Sequence, residues 1–302
     1  MRGRSCQTNI LLCLERWTAS LDSGKSVDVA YFDFDKVSHR LLLVKLKSYG
    51  IGGRLLAWLE AYLRDRKQRV VVGNAASSWL EVFSGTTQGT VLGFQLFLRY
   101  INDLPKSCSE ENESLVMLLA DDAKTFQEIE RDEAQQSRNQ EALQNQIHQI
   151  AQWAGQWRME INPSKSKIMH LGRDNPRLPY SIDGNEIEVV STEKDIGFWI
   201  SEDLSPSTHV HKARNKALGE IRRIRRNFSF IDKQAFCLLY NQRVRPHLDH
   251  GMAARPPSSS ADSKLLEAVQ SKATALVVGL KHPNSEERRK KLGLMKLDER
   301  RE

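Results

Sequence analysis

The sequence predicts an α+β domain, an antiparallel sheet with packed helices, followed by an all-helical region. Three observations carry that reading. SVDVAYFDF at 26–34 is a run of β-branched and aromatic residues with the composition of a buried strand. LVMLLADDAKTF at 115–126 places two adjacent acids between an apolar run and a second β-like run, as a hairpin with acids at its turn would be written. Beyond about Asp203 the apolar residues recur at helical spacing. The expected division is therefore 1–203 for the α+β part and 204–302 for the helical part.

The remaining elements follow in order. RLLLVKLKSYGIGG at 40–53 has apolar residues at helical period and ends in glycines that stop a helix. RLLAWLEAYLRDR at 54–66 reads as a second helix, and QRVVVGNAASSWLEV at 68–82 as two strands joined by a turn that begins at Gly73 and Asn74. The polar turn SGTTQGT at 84–90 leads into an apolar helix through VLGFQLFLRYI. From Arg131 to Glu160 a long polar helix carries Leu143, Ile147, Ile150 and Trp157 on one face. RPPSSSADS at 255–263 is too rich in proline and serine to be helical and joins two helices.

With 302 residues and 40% hydrophobic content, the chain can bury a core, which excludes disorder throughout. No window approaches the roughly 18 uninterrupted apolar residues of a membrane span, and Glu15 and Arg16 stand where a signal peptide would be apolar. An intracellular protein, cytoplasmic or nuclear and without a membrane partner, is expected. Cys6, Cys13, Cys108 and Cys237 lack paired spacing and read as reduced thiols. The formal net charge of +7 is concentrated at 64–69, 211–228 and 286–302. In the second of these stretches Lys212, Arg214, Lys216, Arg222, Arg223, Arg225 and Arg226 flank a stripe of Ala213, Ala217, Ile221 and Ile224, the pattern of an amphipathic basic helix. A solvated face explains any one cluster, whereas three together point to a polyanion, nucleic acid.

The chemistry lies in the acids. Asp121 and Asp122 end an apolar strand, where uncompensated charge is costly. Asp33 and Asp35 interrupt another, and their spacing of two puts both on one face. If the strands are neighbours, three or four carboxylates converge, and such hard oxygen ligands suit Mg²⁺ better than zinc. Two such ions would clamp an attacking hydroxyl and a leaving pyrophosphate during in-line phosphoryl transfer. An Asp-Asp pair alone is also a common turn signal.

YFDFDKVSHRLLLVKLKSYGI, SGTTQGTVLGFQLFLRYINDLP, LLADDAKTF, MEINPSKSKIMHLG and EKDIGFWISEDLSPSTH fall in the order and spacing of the palm motifs of reverse transcriptases. They resemble most closely those of non-LTR, LINE-type retrotransposons of the jockey-like kind. GRSCQTNILLCLERWT resembles the segment before the first palm strand, and LYNQRVRPHLDHG, LEAVQSKATALVVGL and SEERRKKLGLMKLDERR resemble the helical region beyond the palm.

The resemblance implies a polymerase palm with partial fingers over 1–203 and a thumb-like, basic helical region over 204–302. It implies an RNA-directed DNA polymerase with Mg²⁺, or Mn²⁺, as cofactor. RNA template, DNA primer and deoxynucleoside triphosphates would be its partners. Asp33 matches the metal-ligand aspartate of the first motif, and Asp121 and Asp122 match the pair in the ADD hairpin. Gln88 and Gly89 match a loop where a small residue lets template and nucleotide approach the backbone. Lys165 and Lys167 both lie where the family carries one lysine near the leaving phosphate, able to offset charge or donate a proton. Phe34 stands for either of the family's two phenylalanines, one of which screens against a ribose 2′-hydroxyl. Arg222, Arg223, Arg225 and Arg226 of the basic helix would contact the nucleic-acid backbone.

Departures from the family pattern are also readable. Relatives typically read Tyr-Leu-Asp-Phe-Ser-Lys-Ala-Phe-Asp-Lys-Val-Ser-His where this chain reads YFDFDKVSH, four residues fewer. That removes about 13 Å of extended chain or one helical turn. An even deletion preserves the alternation of a strand, so Asp33 can still face the metals, with Asp35 as the substitute ligand. Thr87 replaces a proline before Gln88, and Phe94 follows Gly93 where relatives usually have proline. On this resemblance the chain is expected to be a fragmentary copy that starts after the family's fingers motifs and is without its endonuclease domain. A catalytically dead remnant that retains nucleic-acid binding is the alternative expectation.

Overall fold

The computed structural model describes residues 6–87, 89–108, 116–119, 122–251, 256–280 and 284–299; the side chains of Cys6, Gln7, Asp35 and Leu119 also lie outside what is described. Helix α1 (Cys6–Asp22) opens the chain. The chain forms two compact units, residues 19–190 and residues 1–18 together with 191–302.

The first unit contains β1 (Ser26–Asp35), α2 (His39–Ser48) and α3 (Gly53–Leu63). The short strands β2 (Lys67–Gln68), β3 (Val71–Val72), β4 (Ala75–Ala76) and β5 (Leu80–Glu81) then build one hairpin, and α4 (Val91–Ile101) and α5 (Leu104–Ser107) follow. After these come β6 (Met117–Leu119), β7 (Asp122–Ile129), α6 (Glu133–Gln156), β8 (Glu160–Ile161), β9 (Lys167–Leu171), β10 (Ser181–Ile182), β11 (Asn185–Glu186) and β12 (Glu188–Val189). Six strands form the main sheet in the order β12-β9-β1-β7-β6, with β8 pairing the end of β1. All pairings are antiparallel except the edge pair β12–β9, so the expected mixed fold with an antiparallel sheet is what the chain adopts.

The alternation of β1 decides what each face does. Ala30, Phe32 and Phe34 enter one core with Leu143, Ile147, Ile150 and Trp153 of α6. Helix α6 starts on the Asp132 cap and buries Trp153 within the helix, while Trp157, expected on that stripe, is its C-cap and only half-buried. At the other end of β1, Asp28 is fully buried and accepts hydrogen bonds from Tyr180 Oη at 2.6 Å and Asn175 Nδ2 at 2.8 Å. His170 Nδ1, on the paired position of β9, lies 2.6 Å from the same carboxylate. Burial and the Asp28 charge push the Tyr180 hydroxyl far above its ordinary range, so it stays a donor. This network pins residues 175–180 to the sheet and satisfies a carboxylate that would otherwise be costly to bury.

A lysine joins the helices. Lys45 sits at a core position of α2, 2% exposed, with its ammonium 2.5 Å from Asp103 and 3.8, 4.4 and 4.9 Å from the rings of Trp157, Trp153 and Tyr100. Burial pulls its pKa down to about 8, opposed by the Asp103 hydrogen bond. The unfolded chain then holds more protons than the folded one between pH 8 and 10.5, so this group's contribution to stability rises with pH across that window. At neutral pH, Lys45→Met keeps the stem and removes the buried charge, and is expected to change stability by less than about 1 kcal/mol, since Asp103 retains water access. Lys45→Ala leaves a cavity beneath three rings and should cost about 2–4 kcal/mol. Urea unfolding checks both, and the advantage of the unmodified chain over Lys45→Met should grow between about pH 7.5 and about pH 10.

The second unit holds a hairpin of β13 (Thr192–Asp195) and β14 (Phe198–Ser201), then α7 (Ser207–Asn227) and α8 (Lys233–Leu239). A π-helical turn at Tyr240–Val244 leads into α9 (Arg245–Asp249), followed by α10 (Ser260–Thr274) and α11 (Ser285–Leu292). This unit takes up the chain again at Ser191. The reason is Phe198, whose ring lies 5.6 Å from His209 of α7 and 5.2 Å from His250, so the hairpin packs with the helices. Gly251 admits that ring, because an added Cβ would lie 2.3 Å from Phe198 Cε1. Among the described residues no helix is long and apolar enough to cross a membrane.

Candidate active site

Asp33 and Asp122 are direct partners across the β1–β7 ladder. Paired residues share a face, and their Cβ atoms stand about 4.5–5.5 Å apart. The hairpin that delivers Asp122 pairs Leu119 with it and Leu118 with Ala123, as the acidic-turn pattern predicts. Asp121 lies outside the described residues, as does Gln88. Two of the three expected acids are thus brought together from positions 89 residues apart, and the third is the chain neighbour of one of them.

The lysine is placed by backbone bonds. Strand β8 pairs with the end of β1, and Asn162 N then donates to Asp33 O at 3.1 Å. The Asn162 side chain accepts from Ser164 N at 3.1 Å, and Lys165 N donates to Asn162 O at 3.1 Å, closing a turn. Lys165 Nζ emerges 2.8 Å from Asp33 Oδ2. Lys167 is instead held by Glu188, its partner on β12, and by Ser164 O. Of the two lysines that spacing left open, the structure brings Lys165 to the acid. Lys124, buried and two residues beyond Asp122, shares that face; period-two reading of AKTF would have found it.

Phe34 must be corrected. Strand alternation turns it away from Asp33 into the core, where its ring meets Trp153 edge-on at 6.2 Å, so it cannot line the acid side of the sheet. The backbone of Asp35 pairs with Glu160, and its side chain lies outside the description.

The loop before α4 is clamped to the end of β1. Ser38 bridges Ser84, His39 Nε2 donates to Gly85 O at 2.7 Å, and Gly85 N donates to Val37 O at 2.8 Å. Thr87 accepts from Tyr62 Oη at 2.9 Å and from Arg66. Gly89 is exposed at φ 77°, a conformation that favours glycine, and nothing lies within 4 Å of an added Cβ. Thr90 caps α4 by accepting from Gly93 N at 3.0 Å, and a Cβ on Gly93 would meet Thr87 O at 2.1 Å. Only glycine fits there.

Two like charges opposed across a ladder repel, and Lys165 answers one of them. Carboxylate oxygens on one half-exposed face form a hard donor set, which fits Mg²⁺ or Mn²⁺. Among the described residues no three His, Cys, Asp or Glu side chains cluster as a metal site, and Asp121 is not among those residues.

Helix α7 buries Ala213, Ala217, Ile221 and Ile224 and exposes Arg222, Arg223, Arg225 and Arg226. Arg223 is paired with Glu220 at 2.7 Å. The C-terminal basic cluster is less available than expected, since Arg288 and Arg289 are buried and Arg288 donates to Thr274 Oγ1 and Ser271 Oγ of α10.

Residues 15–219 match the reverse transcriptase (RNA-dependent DNA polymerase) family. The chain is 26% identical over 88% of its length to the Drosophila melanogaster protein named "Probable RNA-directed DNA polymerase from transposon X-element", of which it covers 30%. It is 27% identical over 59% of its length to the RNA-directed DNA polymerase from mobile element jockey of the same species, covering 19% of it. The jockey polymerase of Drosophila funebris shows 26% identity with the same coverage. The chain therefore spans less than a third of the length of these curated relatives.

Proposed function

Since the chain belongs to the reverse transcriptase (RNA-dependent DNA polymerase) family, matched over residues 15–219, we propose that it carries the RNA-templated DNA-synthesis centre of a jockey-like, LINE-type element. The pairing of Asp33 with Asp122, with Lys165 on Asp33, is the observation that supports this most strongly. In this reading the α+β unit serves as palm with part of the fingers and the helical unit as a thumb-like region. An intracellular setting, cytoplasmic or nuclear, goes with that role.

Asp33, Asp121 and Asp122 would hold Mg²⁺ or Mn²⁺. When bound, such ions activate the primer 3′-hydroxyl and neutralise charge on the triphosphate. Lys165 holds a proton beside Asp33, where it can offset charge on a leaving pyrophosphate. Gly89 leaves its backbone open to the nucleotide and template strand, next to Gln88. The α7 arginines would hold phosphates of the RNA–DNA duplex.

One observation favours the second reading, a remnant that binds nucleic acid without polymerising. Only Lys36, Val37 and Ser38 separate β1 from α2, and Lys36 is forced to φ 64°. RNA-templated primer extension tests the principal reading. Extension by the chain, or by the chain with its first motif restored to family length, should be lost in Asp33→Asn and in Asp122→Asn. Extension that survives both substitutions overturns it.

A further inference from the structure

The hairpin between α3 and α4 has no part in the site just described, yet it is the most unusual surface of the first unit. Every residue from Lys67 to Glu81 is exposed, including Val70, Val71, Val72, Trp79 and Leu80. A ladder of two-residue strands with both faces in water gains little from burial, so the arm is not there to complete the core. Its two ladder segments, Lys67 with Glu81 and Val71 with Ala76, leave two residues on one strand facing three on the other. That bulge adds twist and keeps the arm from acting as a flat edge for strand addition.

The arm's aromatic groups carry cations. The guanidinium of Arg69 lies 4.6 Å from the Trp79 ring, and that of Arg66 lies 5.4 Å from the Tyr62 ring. Tyr62 in turn stacks on Trp58 at 5.9 Å with 22° between planes, and Trp58 is 54% exposed. Arg64 is answered by Glu60 at 2.5 Å. Among the described residues Arg66, Lys67 and Arg69 have no carboxylate within salt-bridge distance. The arm thus presents stacked rings next to unneutralised positive charge.

We propose that this arm, with Trp58, Tyr62 and Trp79 as stacking surfaces and Arg66, Lys67 and Arg69 as phosphate contacts, binds single-stranded RNA. Unpaired bases offer the flat faces that rings and guanidinium planes recognise, and the backbone offers the phosphates. A paired helix hides its base faces, and a protein partner would leave three cations to be neutralised. The choice of RNA over DNA rests on the reverse transcriptase reading, whereas the stacking itself does not. Thr87, held by Tyr62 and Arg66, places the arm's base beside the loop that carries Gly89. A strand leaving the base of the arm would meet that loop.

The test is fluorescence anisotropy of the full chain with a labelled oligouridine and with a blunt RNA duplex, without nucleotide or metal, so that its failure is separable from failure of the polymerase reading. Trp58→Ala with Trp79→Ala should weaken oligouridine binding at least tenfold, as loss of stacking to two bases requires. Duplex affinity and the salt slope should stay as they were, because no charge is removed. Trp58→Phe with Trp79→Phe should restore most of the affinity. Unchanged oligouridine binding in the alanine variant overturns the proposal, and so does an equal loss for duplex. Loss of self-association in sedimentation, with RNA binding intact, would assign the arm to a second copy and overturn it as well.

Discussion

Inserting Ser-Lys-Ala-Phe after Phe34 is expected to raise RNA-templated primer extension at least about a hundredfold over a near-background rate in the unmodified chain. In-line transfer needs reacting atoms held at about 3–3.5 Å, and an error near 1 Å costs about a hundredfold. Here β1 reaches α2 through three residues, one of them in the left-handed region. The junction is also the anchor for the loop of Gln88 and Gly89, through Ser38 with Ser84 and His39 with Gly85. In the proposed reading, a shorter motif would therefore disturb the strand of Asp33 and the loop of Gly89 together. Steady-state incorporation with Mg²⁺ and with Mn²⁺ measures the effect. Robust synthesis by the unmodified chain, lost in Asp122→Asn, would contradict it.

Replacing Arg222, Arg223, Arg225 and Arg226 with Glu should lower RNA affinity by at least about a hundredfold near physiological salt. The slope of log affinity against log salt should flatten by roughly 2, because Arg223 is already engaged by Glu220 and three free cations release about 0.7 counterion each on a single strand. The buried stripe of α7 is untouched, so the fold should persist by circular dichroism. Unchanged binding would return this helix to an ordinary solvated face.

Much of this architecture was readable in the residues. A run of β-branched and aromatic residues located β1, two acids between an apolar and a β-like run located the β6–β7 hairpin, and the 3.6-residue stripe of α7 is the one that is buried. The turn at Gly73 and Asn74 joins β3 to β4 as its sequence requires. What escaped was decided by partners distant in the chain. Nothing in the spacing of α2 marks Lys45 as buried, and only the rings of Tyr100, Trp153 and Trp157 make it so. Asp28 reads as one more acid in a strand until residues more than 140 positions away supply its donors. Lys165 and Lys167 were indistinguishable by spacing, because β12, which diverts Lys167 through Glu188, is only two residues long. Phe34 is the exception. Its alternation with Asp33 already placed it on the opposite face, while the family pattern left open which of two phenylalanines it stands for.

Manganese binding followed by electron paramagnetic resonance tests most directly whether Asp33 and Asp122 share one cation site. The unmodified chain should take up Mn²⁺, Asp33→Asn and Asp122→Asn should each weaken that binding at least about tenfold, and the double variant should lose little more than either alone, as coupled ligands do. Single variants that bind as the unmodified chain does, or losses that simply add, would contradict it.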